Sequence, residues 1–216
     1  MTRRAIDGVI WDVDGTLADT IPMIVTALQD TIAAHTGATH TAAEIRAMFG
    51  PTEEGVLRNA VGDAWPEAME QFIAAYDTAH DGVDGFTGVR TVIERLDARD
   101  IAMAVVTGKG ARSAEITIER LGYSGVFDEI SAGSMEGQVK EVGIRRIVER
   151  WGFESRRVAY IGDHAADVRD ARAAGVVAVT AAWAPDVDLA PILPLNPDVV
   201  LHSTDELAVW IDAVTT

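Results

Sequence analysis

The chain has 216 residues, 48% hydrophobic and 24% charged, an ordinary soluble balance for one domain or for one domain carrying an inserted subdomain. A formal net charge of −16 argues against nucleic acid and anionic membrane surfaces as partners, which call for a basic face, but not against phosphorylated metabolites, since a bound divalent cation inverts charge locally. The absence of cysteine excludes disulfides and thiolate metal sites; with no run of about 18 apolar residues and no signal-peptide stretch, a cytoplasmic protein is expected.

The run GVIW at residues 8–11 reads as a buried strand, and it ends on two aspartates, Asp12 and Asp14, followed by Gly15 and Thr16. Carboxylates side by side at the edge of a core repel each other and lose hydration, a penalty that a cation or a charge-rich ligand would remove. Residues 18–83 then show no strand pattern. Thr20 reads as a helix cap with Pro22 in the first turn, and Thr41 with Glu44 as a capping box. Thr52 after Pro51 starts another helix, and residues 66–80 form a long amphipathic one. Gly50, Pro51 and Thr52 break the helical pattern, either as a plain turn or as groups that point into a cleft and select substrate.

From residue 84 helices and apolar strands alternate. Helices are expected over residues 88–97, 111–121, 139–151, 165–174 and 205–214, and strands over 101–108, 127–133, 158–163, 176–182 and 197–201. Such alternation means an α/β fold: a Rossmann-like parallel sheet with helices on both faces, formed by residues 1–17 and 84–216. Residues 18–83 form an inserted all-helical domain, leaving and rejoining near one strand end so that it covers that end.

Parallel sheets bind ligands at the carboxyl ends of their strands. Those ends bring Asp12 and Asp14 from the first strand, Thr107, Gly108 and Lys109 from another, and Asp163 with Asp167 from a third. Lys140 opens the preceding helix. Of 18 basic residues all but Lys109 and Lys140 are arginine, as if a site needed a compact ammonium. Clustered aspartate oxygens make a hard site suited to Mg²⁺ rather than zinc. A metal and a lysine let one carboxylate attack a phosphorus atom, while a second gives and takes protons. Thr107 and nearby backbone N–H groups would hold the non-bridging oxygens.

The segment DVDGT with LADT after it, the strand ending in Thr107, the isolated Lys140 and the segment GDHAAD resemble, in order, the four signatures of the haloacid dehalogenase superfamily of phosphohydrolases. The helical insert is similar to that family's helical cap. The resemblance implies Asp12 as nucleophile and metal ligand, and Asp14 as general acid/base whose backbone carbonyl also reaches Mg²⁺. It implies Thr107 as phosphoryl ligand, Lys140 as the bridge from phosphate to Asp12, Asp163 as a metal ligand, and Asp167 as support for the metal, either directly or through its other ligands. Two positions depart from the pattern: Glu141 follows the lysine where proline is common, and Gly108 follows the threonine where Asn or Ser is frequent. They leave room for Lys109 to bridge the phosphate; Lys140 is the preferred bridge, and Lys109 is read as a solvated loop residue or a substrate contact. Gly108, Lys109, Gly50 and Thr52 complete the candidate substrate-binding set.

The insert's length and the segment FGPTEEGVL look similar to phosphoglycolate phosphatase-like members. A second anionic group on the substrate would want Arg46 or Arg58, the only arginines or lysines of residues 18–83. The expected function is a Mg²⁺-dependent phosphatase of a small phosphorylated metabolite. Asp14 favours it over dehalogenase or phosphonatase, which lack that acid. A phosphomutase of the β-phosphoglucomutase type or a pyrophosphatase could use the same core; a mutase would want more basic residues in the insert. A non-catalytic binding protein ranks last, because the first and fourth signatures are intact.

Overall fold

The computed structural model describes residues 5–137 and 139–215. Its six strands are β1 (Gly8–Trp11), β2 (Ala102–Val106), β3 (Ile130–Ser131), β4 (Val158–Gly162), β5 (Val177–Ala181) and β6 (Val199–Leu201). They form one sheet in the order β3-β2-β1-β4-β5-β6, with every pairing parallel. Gly8 stands opposite Ala102 on one side and Val158 on the other. The order reverses at β1, and its carboxyl end is therefore the crevice where a doubly wound sheet receives a ligand.

Alternate residues of these strands feed two cores. Val9, Trp11, Val105 and Ile161 pack with α5 (Val89–Asp97) and α9 (Thr204–Val214). Ile10, Val106 and Tyr160 pack with α7 (Lys140–Trp151) and α8 (Ala165–Ala174) on the other face. A strand buried on both faces has no polar side, and so these runs read as continuous apolar sequence. The edge strand β3 is reduced to two residues of the stretch read as a strand over 127–133.

Four helices separate β1 from α5: α1 (Ile21–Thr36), α2 (Ala42–Ala47), α3 (Glu53–Val61) and α4 (Trp65–Ala79). They share a third apolar core that includes Ile24, Leu28, Ile45, Leu57, Phe72 and Tyr76. The chain leaves the sheet past Leu17 and returns at Phe86, whose N–H donates to the Leu17 carbonyl at 3.0 Å. The insert therefore departs and rejoins at one place, over the carboxyl end of β1. Phe72 is fully buried and stacks on Tyr76 with ring centroids 5.5 Å apart. Phe72→Ala is expected to destabilise the protein by about 3–5 kcal/mol. Chemical denaturation checks this; a loss below about 1 kcal/mol would mean that the insert does not depend on this ring.

Local capping follows the sequence in part. Thr41 and Glu44 form the capping box at the start of α2. Thr20 and Thr52 occupy N-cap positions of α1 and α3, but neither makes a side-chain cap bond. Thr20 instead donates its hydroxyl to Asp14. Thr52 is buried, and its hydroxyl has no partner among the described residues. No described helix is long and apolar enough to cross a membrane.

Candidate active site

Asp12 leaves β1 still tied to the sheet, its N–H donating to the Ile161 carbonyl of β4 at 2.9 Å. The chain then turns at once: Gly15 adopts φ +72°, and its N–H donates to Ala18 at 2.9 Å. A Cβ on Gly15 would fall 2.1 Å from Asp163 Oδ2, so only glycine lets the aspartate that follows β4 approach this turn. Gly162 plays the same part for Asp167, whose Oδ2 would lie 2.5 Å from a Cβ there.

The carboxylates of Asp12, Asp163 and Asp167 come together, one oxygen of each lying within 4.8 Å of the others. Lys140 faces two of them, with Nζ 2.7 Å from Asp12 Oδ2 and 2.7 Å from Asp167 Oδ1. The other oxygen of Asp12 accepts from the Val13 N–H at 2.8 Å, and Asp167 Oδ2 accepts from the His164 N–H at 2.9 Å. The Tyr160 hydroxyl lies 3.2 Å from Asp167 Oδ1. Burial pushes the Asp12 carboxyl up to about 6, a rise that Lys140 opposes and Asp167 reinforces. Burial, then Asp167 and Asp12, raise Asp163 well above the usual carboxylate range. Burial alone would lower the Lys140 ammonium, but Asp12 and Asp167 outweigh it and hold it well above an ordinary lysine.

Asp14 has different partners. Its carboxylate accepts from the Thr20 hydroxyl and from Lys109 Nζ, the latter at 3.1 Å. Lys109 is 3% exposed, not a solvated loop residue. Its ammonium lies 3.5 Å from Glu53 Oε1 and 4.6 Å from the centre of the Tyr76 ring. Burial would lower Lys109, yet Asp14, Tyr76 and Glu53 together raise it above an ordinary lysine. Thr107 is buried at the end of β2, and its Oγ1 accepts from the Lys109 N–H at 3.3 Å.

These groups line one cleft of about 440 Å³ between the sheet end and the insert. Asp12, Asp14, Thr107, Gly108, Lys109, Lys140, Asp163 and Asp167 all face it, as does Gly50. Thr52 does not line it, so the turn presents Gly50 and Pro51 instead. Asp14 stands outside the three-carboxylate cluster. Arg46 lines the cleft, whereas Arg58 pairs with Glu136 at 3.6 Å. Three contacts are invisible to sequence reading: Glu53, Tyr76 and Tyr160 reach this site from separate elements.

The haloacid dehalogenase-like hydrolase family model matches residues 9–181, which contain both aspartate pairs and both lysines. The chain belongs to the haloacid dehalogenase-like hydrolase family. A curated relative from Synechococcus elongatus, named phosphoglycolate phosphatase, is 25% identical over 97% of this chain and 98% of its own. Another of that name, from Agrobacterium fabrum, is 30% identical over 93% of this chain and 91% of its own. The crystal structure of a predicted phosphoglycolate phosphatase from Haemophilus somnus superposes with a TM-score of 0.81, at 18% identity, over 97% of this chain and 99% of that one. That likeness shows a fold shared over nearly the whole of both chains, the helical insert included. The expected α/β architecture and the expected enzyme class, a hydrolase of this family with phosphatases as its named relatives, both hold.

Proposed function

We propose that this protein is a Mg²⁺-dependent phosphatase that hydrolyses a small phosphorylated metabolite through a phosphoryl-Asp12 intermediate, with the insert as a cap over the cleft. The observation that carries the reading is the division of the two aspartates: Asp12 meets Lys140 and the carboxylate cluster, and Asp14 meets Lys109 and Thr20. Environments so different suit a nucleophile and a proton carrier.

The donor set fits the ion. Three clustered carboxylates with one ammonium beside two of them leave negative charge in the site, and oxygen donors alone suit Mg²⁺. Asp12, Asp163 and Asp167 would hold it, together with the Asp14 carbonyl that the family pattern implies. When bound it would supply charge neutralisation for the phosphoryl oxygens and for the carboxylate that attacks the phosphorus. Thr107 offers its hydroxyl proton, which has no acceptor among the described residues, to a non-bridging oxygen.

Asp12 then forms a bond from its carboxylate oxygen to phosphorus as the bond from phosphorus to the leaving oxygen breaks. Asp14, protonated, gives its proton to that leaving alkoxide. In the second half Asp14 takes a proton from water, the water oxygen bonds to phosphorus, and the phosphorus–Asp12 bond breaks to give inorganic phosphate. Lys140 has two carboxylate partners and three N–H donors, which leaves one for the phosphoryl group. A substrate carrying a second anion, as phosphoglycolate does, would meet Arg46 on the insert's wall of the cleft. The cytoplasm is the compartment we assign to it.

Phosphate release from a panel of phosphorylated metabolites, with Mg²⁺ and with EDTA, tests the reading. Metal-dependent release from a few compounds, phosphoglycolate among them, is expected; no release from any would contradict it. A linked prediction concerns pH. The folded protein holds its Asp12 proton to about 6, above the ordinary 3.8, so without metal its stability falls as pH rises across that interval. Above it, Asp12 is ionised and available to a cation. The rise in Tm on adding Mg²⁺ should therefore be larger near neutrality than at about pH 5. Equal rises at both would remove Asp12 from the metal site.

A further inference from the structure

We propose that Lys109 is a positioning residue: its ammonium, held by Glu53 and Tyr76 of the insert, fixes the Asp14 carboxylate in the cleft and makes proton transfer by Asp14 depend on the docked insert. The inference rests on the phosphatase reading above and concerns what sets Asp14 in place.

Lys109 lies between β2 and α6 (Ala111–Arg120), two residues beyond Thr107. That position suits a phosphate contact, yet its ammonium is already enclosed by other partners. An ammonium has three N–H groups. Asp14 at 3.1 Å, Glu53 at 3.5 Å and the face of Tyr76 at 4.6 Å account for three partners. The Lys109 side chain is 1% exposed, against 11% for Lys140. Lys140 also lies over a ring, Tyr160 at 5.8 Å, but it is the more open of the two to substrate, whereas Lys109 is enclosed.

Two of the three partners come from the insert. Glu53 opens α3, and its carboxylate also accepts from the Gly110 N–H at 2.6 Å and the Ser113 hydroxyl at 2.8 Å, at the start of α6. Tyr76 in α4 places its hydroxyl 2.9 Å from Thr117 Oγ1 on the same helix. One carboxylate from the insert thus holds both the lysine and the loop that carries it. Undocking the insert would strip Lys109 of Glu53 and Tyr76 together and leave Asp14 tied to an ammonium with no other anchor. A buried charge that loses one partner is costly, so the three move as a unit. Peripheral pairs such as Arg112–Glu70 also join insert to core but are largely exposed and reach no catalytic group.

The test is stopped-flow turnover of p-nitrophenyl phosphate. Its leaving group needs no acid, so forming the phosphoenzyme should proceed without Asp14, whereas hydrolysing it needs Asp14 as base. Lys109→Met is expected to give a stoichiometric burst of nitrophenolate, then a steady rate about 10²-fold below the unmodified protein. Inhibition by inorganic phosphate should stay within about twofold. Glu53→Gln, which keeps the shape and its contacts with Gly110 and Ser113, should show the same burst with a rate about tenfold lower. Glu70→Gln should turn over as the unmodified protein does. Wild-type rates in Lys109→Met or Glu53→Gln overturn the inference. So does a lost burst with much weaker phosphate inhibition in Lys109→Met, which would make the lysine a phosphate ligand. Should Lys109→Met fail to fold, Glu53→Gln decides alone. If the unmodified protein turns over no phosphoester at all, the phosphatase reading itself falls, and this inference with it.

Discussion

Asp12→Asn is expected to fold and to lose turnover by about 10⁴-fold or more, because an amide cannot attack phosphorus. The fold should survive for physical reasons that the site displays. Asp12 is 5% exposed, and burial already disfavours its charged form. Replacing it by a neutral group of the same shape relieves repulsion with Asp163 and Asp167. Lys140 keeps Asp167 at 2.7 Å. One contact is lost whichever way the amide turns. Its oxygen can accept from Val13 or from Lys140, and its NH₂ must face the other donor. The cost is therefore local. Circular dichroism and phosphate release measure the two halves of the prediction. A variant retaining activity within about tenfold of the unmodified protein would show that another group is the nucleophile.

Lys140→Met is expected to cost far more stability. It leaves three carboxylates within 4.8 Å, Asp12 and Asp167 buried and Asp163 half-buried, and removes the ammonium that faces two of them. Breaking one partner from a buried pair costs about 3–5 kcal/mol, so the metal-free variant should melt well below the unmodified protein at neutral pH. The deficit should shrink as pH falls, because Asp12 and Asp163, already raised, take up protons instead. It should shrink also with Mg²⁺, which replaces the missing charge. Turnover should drop about 10²- to 10³-fold even with the metal present, the loss expected when one preorganised donor to a developing charge is removed. Melting curves in EDTA and in Mg²⁺ at two pH values separate these effects. An unchanged Tm in EDTA would mean that Lys140 does not neutralise the cluster.

The strands and their ends were legible because a sheet covered on both faces leaves apolar runs with polar residues only where they stop. Asp12, Thr107 and Asp163 stand at such stops, and so the sequence order of the signatures becomes one rim in space. The insert was legible as an interruption of that alternation. Lys109 was not. The segment GKG reads as loop, and what buries its lysine is Glu53 and Tyr76, on two helices far away in sequence. An acidic residue in the first turn of α3 looks like ordinary helix-end chemistry; its real partners lie on α6. Thr20 misled for a related reason. Before Ile-Pro it resembles a helix cap, yet the turn after β1 folds Asp14 back over it, and the hydroxyl serves that carboxylate. Local propensity marks the helix start correctly and says nothing about which acceptor the side chain finds.

In the proposed reaction Asp12 carries the phosphoryl group. The direct measurement is to quench the protein in acid during Mg²⁺-supported turnover, reduce the trapped acyl phosphate with borohydride, and map the peptides by mass. Reduction at Asp12 alone, absent when EDTA replaces Mg²⁺, is the predicted result. Reduction at another carboxylate, or none at all during demonstrated turnover, would contradict it.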